Sequence, residues 1–345
     1  MLPHVNEKDI FKSSARRKIL ILAEGFEERS LSWIDNEKNT LIFDEAIICK
    51  YFNHKKTRFD DLKIAVKKHC KTEPIVFEYN RFEPTSFEMN FRFKIQSISD
   101  YDEVFIDISV MSKFLIMIII CSLINFRGKL KIIYSEPNQW GPTEKQFEEA
   151  ISTKEFGSWI SLSSVGVRDI VRTPNLSSVT MQNCPVYLIA FLSFNERLLS
   201  ALISEISPSR LQLVNHSCER QKWREPAMIE IHKDVIDEYY NKGIEEIFTT
   251  TVLDYKAVFE KLAEIYRERC YDYRIMVSPT GGKIHAVSTA LFKLCCPDVH
   301  VEYPTPESYV FDNYTSAESC SVHQITFPCF KNFIKELSNS YNLNG

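Results

Sequence analysis

The sequence predicts an α/β fold written twice. It describes two tandem domains, each a mainly parallel sheet of five or six strands flanked by helices, arranged as a pseudo-dimer. Three observations carry this expectation. GFEERSLS (Gly25–Ser32) and SFNERLLS (Ser193–Ser200) share Phe, Glu, Arg, Leu and Ser at matching places, 168 residues apart, each behind an apolar run (KILILAE; VYLIAFL). Two further pairs follow in the same order. YDEVFIDISVMSK (Tyr101–Lys113) matches YDYRIMVSPTGGK (Tyr271–Lys283), and LKIIYSEP (Leu130–Pro137) matches VHVEYPTP (Val299–Pro306), at offsets of 170 and 169. Such a period marks an internal duplication. In both halves short apolar runs alternate with segments of helical apolar spacing, the pattern of a parallel sheet covered on both faces.

The elements follow in order. In the first half, the strand Ile19–Ala23 leads into the Phe-x-Glu-Arg segment and a helix. Next come the strand EAIICKYF, the helix RFDDLKIAVKKHC and the strand PIVFEYN. The third helix, SFEMNFRFKIQSI, reads as short or irregular. The strand EVFIDIS, an apolar helix and the strand LKIIYSE complete this half. The second half repeats the scheme. Its elements are Val186–Phe191, a helix, RLQLVNH, one helix through WREPAMIEIHKDVIDEYY, EIFTTTV, the amphipathic DYKAVFEKLAEIYRERC, YRIMVSP, an apolar helix and VHVEYP. The boundaries expected are residues 1–137 for the first domain, 138–182 for a connecting segment and 183–345 for the second. The last strand-like run, SCSVHQITF, is expected to edge the second sheet.

Composition narrows the function classes. A chain of 345 residues with 44% hydrophobic and 26% charged residues is that of a soluble globular protein of two ordinary domains. A net charge of −4 speaks against an extended nucleic-acid-binding face and leaves room for a local basic pocket. The ten cysteines lack CxxC spacing and several sit in apolar runs, so they read as reduced thiols of a cytoplasmic protein. No zinc-like His/Cys spacing is present, and neither a metal nor a cofactor is expected. FLIMIIICSLI (Phe114–Ile124) is the most apolar stretch, but eleven residues do not span about 30 Å of hydrocarbon. It reads as a helix buried against a sheet.

In a doubly wound sheet, ligands bind beyond the carboxyl ends of the strands, where helix N-termini face anions. The repeated segments lie there, after strands 1 and 4 of each half. In SPTGGK, Gly281 and Gly282 permit close backbone approach, Ser278 and Thr280 offer hydroxyls, and Lys283 brings a cation to the first helical turn. This outlines a phosphate cradle without being a Walker A loop. The first-half version keeps Ser109, Ser112 and Lys113 and lacks the glycines. A glycine turn between strand and helix is the structural alternative. After strand 1, the candidates are Gly25, Glu28 and Arg29, with Asn195, Glu196 and Arg197 in the second copy. An arginine there suits phosphate or a base edge. Alternatively, Glu28 and Glu196 start helices, Arg29 and Arg197 pair with them, and Phe26 and Phe194 are core staples. Asp107 suits a general base, but its counterpart Val277 does not. SLSSVGVRDI and EPNQWGPTE read as rim segments.

With a glycine-rich motif after strand 4 of a Rossmann-like domain, the chain resembles the CRISPR-associated Rossmann fold (CARF). As a duplicated chain it is similar to SAVED domains, fused pseudo-dimers that sense cyclic oligonucleotides in bacterial antiphage systems. The resemblance places Ser278, Thr280, Gly281, Gly282 and Lys283 on the strand-4 motif and matches Ser109, Ser112 and Lys113 in part. Residues 24–29 and 193–197 fall on the strand-1 loops. It implies a sensor or regulatory protein that binds a nucleotide-like anion and acts through a separate effector or an oligomer. Two alternatives remain: a nucleotide-processing enzyme (phosphodiesterase, glycosidase or transferase) and a ligand-free structural subunit.

Overall fold

The computed structural model describes residues 1–8, 10–53, 57–153, 163–240, 246–310 and 319–343. The chain forms two compact units. The first is Met1–Gln139 with Thr315–Ser340, the second Trp140–Tyr314 with Tyr341–Gly345.

The first unit runs β1 (Lys18–Ala23), β2 (Glu45–Tyr51), α1 (Phe59–Lys68), β3 (Ile75–Tyr79), α2 (Pro84–Ile98), β4 (Glu103–Asp107), α3 (Lys113–Ser122) and β5 (Lys129–Pro137). In the second unit come α4 (Glu144–Thr153), β6 (Ser164–Val165), β7 (Asp169–Val171), β8 (Val186–Phe191), α5 (Glu196–Ile206), β9 (Arg210–Ser217), α6 (Arg224–Ile231), α7 (Lys233–Tyr240) and β10 (Phe248–Thr251). It continues through α8 (Tyr255–Arg269), β11 (Arg274–Ser278), α9 (Lys283–Cys295), β12 (His300–Val301), β13 (Tyr303–Thr305) and β14 (Ser308–Tyr309). The chain then returns to the first unit with β15 (Ser319–Phe327) and α10 (Phe330–Ser340).

The first sheet has the order β15-β5-β4-β1-β2-β3 and the second β10-β9-β8-β11-β12. Numbered within each half, both read 3-2-1-4-5, with parallel pairing throughout apart from β15. The duplicated reading of the sequence and the shared strand order therefore agree. β4 is buried along its whole length, as a central strand between two helical layers must be. α3 is buried from Phe114 to Cys121 and starts from Ser112, whose Oγ accepts from Leu115 N. That is the buried fate expected for the FLIMIIICSLI run, and no described helix is long and apolar enough to cross a membrane.

Five expectations change. SCSVHQITF edges the first sheet, not the second: β15 lies antiparallel to β5, with Val322 opposite Ser135 and Ile325 opposite Ile132. The third helix of the first half is neither short nor irregular. With Pro84 in its first turn, α2 matches α8 in length at 15 residues and stacks Phe87 on Phe91 against Phe77 of β3. The single helix after β9 is two, broken at His232, whose ring is bonded to Ser193 O at 2.9 Å. The Phe-x-Glu-Arg segment of the first half makes only a 3-10 turn, Glu28–Ser30. From Trp140 on, the segment read as a connection lies in the second unit, where β7 pairs with β13 and β6 with β14. The first two residues of SLSSVGVRDI lie outside the described residues.

Candidate functional site

Where a sheet's order reverses, the helices after neighbouring strands depart to opposite faces and leave a crevice at the carboxyl edge. In the second unit this point lies between β8 and β11, so the sequence-predicted loops Leu192–Asn195 and Pro279–Gly282 flank it. They are fastened together: the Thr280 hydroxyl donates to Phe191 O, and a Cβ on Gly281 would come within 3.1 Å of Phe191 Cβ. Thr280 is thereby committed to the fold, and Gly281 sits in close approach to Phe191.

Gly282 differs. Its φ of −73° suits any residue, and a Cβ there would make only ordinary contacts, 3.6 Å from His285 Nδ1 and 3.7 Å from Val252 O. Neither conformation nor packing demands glycine. Gly282 is also the N-cap of α9 and supplies no side-chain acceptor to the first turn. This 13-residue helix thus starts without a side-chain cap, and half-buried Lys283 is its first residue.

One fully buried polar atom, His285 Nδ1, lies beside this spot. His285 Nε2 lies 3.0 Å from Thr251 O. A carbonyl only accepts, so Nε2 carries the proton and Nδ1 is an acceptor. Burial pushes this imidazole down to about 4, against weaker opposing effects of the Thr251 bond and Asp254, so it is neutral at pH 7. Nδ1 has no hydrogen-bond partner, and neither does Ser278 Oγ. Sequence reasoning found Ser278 but missed His285. The available signal was its place three residues after Gly282, one helical turn along the same face.

After β8, Asn195 is fully buried and caps α5: its Oδ1 accepts from Arg197 N, and its Nδ2 donates to Ser164 Oγ and Gly166 O. Glu196 is buried in the first turn of α5 and Arg197 is exposed. Asn195 is therefore a structural fastener. His232, also missed, repeats the His285 arrangement: Nε2 donates to Ser193 O, Nδ1 is unpartnered, and burial lowers its pKa to about 4.

The first unit fills the equivalent place with its own bonds. Arg29 is 1% exposed. Its Nε and Nη2 donate to the two Glu27 oxygens at 2.7 and 3.1 Å, and its Nη1 donates to Ser135 O at 2.8 Å. The expectation that Arg29 meets a ligand is corrected: the guanidinium is spent inside the fold. Its carboxylate partner is Glu27, and Glu28 is exposed. Ser109 is likewise occupied. Its N–H and hydroxyl donate to Asp107 Oδ1, and its Oγ accepts from Ser135 N. Ser112 caps α3, and burial draws the half-buried Lys113 amine down to about 8. Glu24, missed from sequence, accepts from Tyr51 N at 2.7 Å through Oε1, while its buried Oε2 has no hydrogen bond. Burial raises its pKa against the pull of the Tyr51 N–H, Thr57 and Lys50. Gly25 is needed where the two loops touch, since a Cβ would sit 2.8 Å from Val110 Cβ. Gly25→Ala is expected to cost about 1–3 kcal/mol by overpacking, measurable by denaturant unfolding.

Among the described residues no group of three or more His, Cys, Asp or Glu side chains is placed to hold a metal ion. No protein-family model and no curated protein matches the sequence. Among solved structures, the chain is similar to a universal stress protein from Archaeoglobus fulgidus DSM 4304, at 11% identity and a TM-score of 0.26 over 86% of this chain and 98% of that one. It is also similar to the cytoplasmic domain of a prokaryotic cation chloride cotransporter, at 6% identity and a TM-score of 0.23 over 84% and 95%.

Proposed function

We propose that the protein is a ligand-binding regulatory protein of the cytoplasm whose second unit holds a nucleotide-like anion at the start of α9. The observation that carries this reading is Gly282, a glycine that the fold does not require, at an uncapped helix start beside Lys283. A phosphate there meets first-turn N–H groups that no side chain caps, and the positive end of the helix dipole. The neutral His285 Nδ1 accepts rather than donates, so the ligand must also bring an N–H or O–H, as a ribose hydroxyl or a base amine does. Inorganic phosphate alone meets only half of this chemistry. Cyclic oligonucleotides, the ligands implied by the resemblance to SAVED domains, are the first to test, and output through a separate effector belongs to the same proposal.

The test is calorimetric titration of the full chain with mononucleotides and with linear and cyclic oligonucleotides. Gly282→Ala is expected to weaken binding about tenfold while keeping or raising the melting temperature, because alanine suits this backbone. Lys283→Ala is expected to weaken binding with the melting temperature nearly unchanged. Undiminished affinity in a folded Gly282→Ala protein, or no binding by the parent chain, overturns the reading.

A further inference from the structure

The amino edge of the first sheet carries a feature that this reading does not use. Lys18 opens β1, Glu103 opens β4 and Lys129 opens β5. Together with Lys131, the segment Phe11–Ser14, the loop Thr40–Ile42 and Lys71 they line a cleft of about 940 Å³. That volume lies in the range of small-molecule sites. β1 separates this edge from the carboxyl edge of the same sheet by about 20 Å.

The charge is one-sided. Lys12, Lys18, Lys71, Lys129 and Lys131 share the lining with a single carboxylate, Glu103, in a chain whose net charge is −4. Asp44 pairs with Lys71 at 2.7 Å, and Lys18 Nζ donates to Ala15 O at 2.8 Å. Glu103 is 2% exposed and forms the floor, bonded to the Ser13 hydroxyl and paired with Lys129 at 3.0 Å and Lys131 at 3.5 Å. Burial alone would raise its pKa, but Ser13 and the two ammonium groups outweigh that and hold it below the usual carboxylate range. Glu103 thus holds two of the lysines in place. Lys131 is 5% exposed, donates to Lys12 O at 2.8 Å and has its amine lowered chiefly by burial.

Converging like charges raise the energy of the empty cleft, and low-dielectric walls focus their field on any anion that enters. We infer that this cleft is a second ligand site, separate from the start of α9, and that it takes a small polyanion bearing an oligophosphate group. Several ammonium groups around one cleft suit a chain of phosphates better than a single phosphate. The lysines meet its oxygens as point charges, with the Ser14 and Thr40 hydroxyls beside them. Phe11, Leu41 and Ile42 give the cleft an apolar wall that suits a base or another ring attached to the phosphates.

The experiment titrates the full chain with inorganic tripolyphosphate and with a nucleoside triphosphate at low and moderate salt. One equivalent of tripolyphosphate is expected to bind, more weakly as salt rises. Tighter binding of the nucleoside triphosphate would identify the ring-bearing source, and equal binding the phosphate chain alone. Lys12 is exposed and the Lys71 side chain is 59% exposed, so charge reversal there spares the core. The pair Lys12→Glu and Lys71→Glu is expected to lower affinity about a hundredfold, and Gly282→Ala to leave it unchanged. The inference is overturned if tripolyphosphate does not bind, or if the folded double variant binds as tightly as the parent. It is equally overturned if Gly282→Ala abolishes tripolyphosphate binding, which would assign the anion to α9.

Discussion

Arg29→Ala is expected to destabilise the protein by about 3–5 kcal/mol, because it strands a buried carboxylate. Glu27 and Arg29 are 7% and 1% exposed, and the guanidinium answers both Glu27 oxygens and a carbonyl of β5. It also lies 5.8 Å from the centre of the Tyr134 ring. Removing it leaves Glu27 desolvated and Ser135 O short of a donor. At about 2–4 °C per kcal/mol for a unit of this size, the melting temperature should fall by about 6–20 °C. A double change, Glu27→Gln with Arg29→Met, should recover much of the loss, since no charge is then buried alone. A loss below about 1 kcal/mol in the single variant would show that the pair contributes little.

Acidification is expected to have the next largest effect. His232 and His285 are 1% and 0% exposed, and burial holds each near 4 against an ordinary value of 6.5. Between pH 6.5 and 4 the unfolded chain binds protons at these sites that the folded chain refuses. Stability therefore rises with pH across that window and is lost as pH falls through it, by about 3 kcal/mol for each ring. Above pH 6.5 both states hold neutral imidazole and the contribution is flat. Denaturant unfolding at pH 7, 5.5 and 4.5 measures the slope, and His232→Gln with His285→Gln should flatten it. An equal slope in that double variant would assign the acid sensitivity to other groups.

The strand and helix pattern of the fold was legible because parallel strands buried on both faces are short apolar runs, and the duplication printed each of them twice. The 3-2-1-4-5 order was not legible, because the same alternation also builds other doubly wound orders. Two of the misreadings have a long-range cause. SCSVHQITF carries no local mark of its partner, and its pairing with β5 joins residues nearly 190 positions apart. Arg29 reads as a ligand arm because its chemistry suits phosphate. Only the fold brings Ser135 O and both Glu27 oxygens around it. SPTGGK reads as a cradle from residue type alone, and only the fold shows Thr280 tied to Phe191 O. His285 was not legible, since an isolated histidine in an apolar helix reads as core until its tautomer is fixed by Thr251 O.

The return of β15 to the first unit also sets a timetable for synthesis. β5 ends at Pro137, yet the strand that covers its outer edge ends at Phe327. At roughly 5–20 residues per second, a ribosome exposes that parallel sheet edge for about 10–40 s before its cover emerges. Through that interval the nascent first unit carries an open row of backbone donors and acceptors. Chaperone holding during translation, or a slowed second half, would then matter more for yield than the stability of the finished chain.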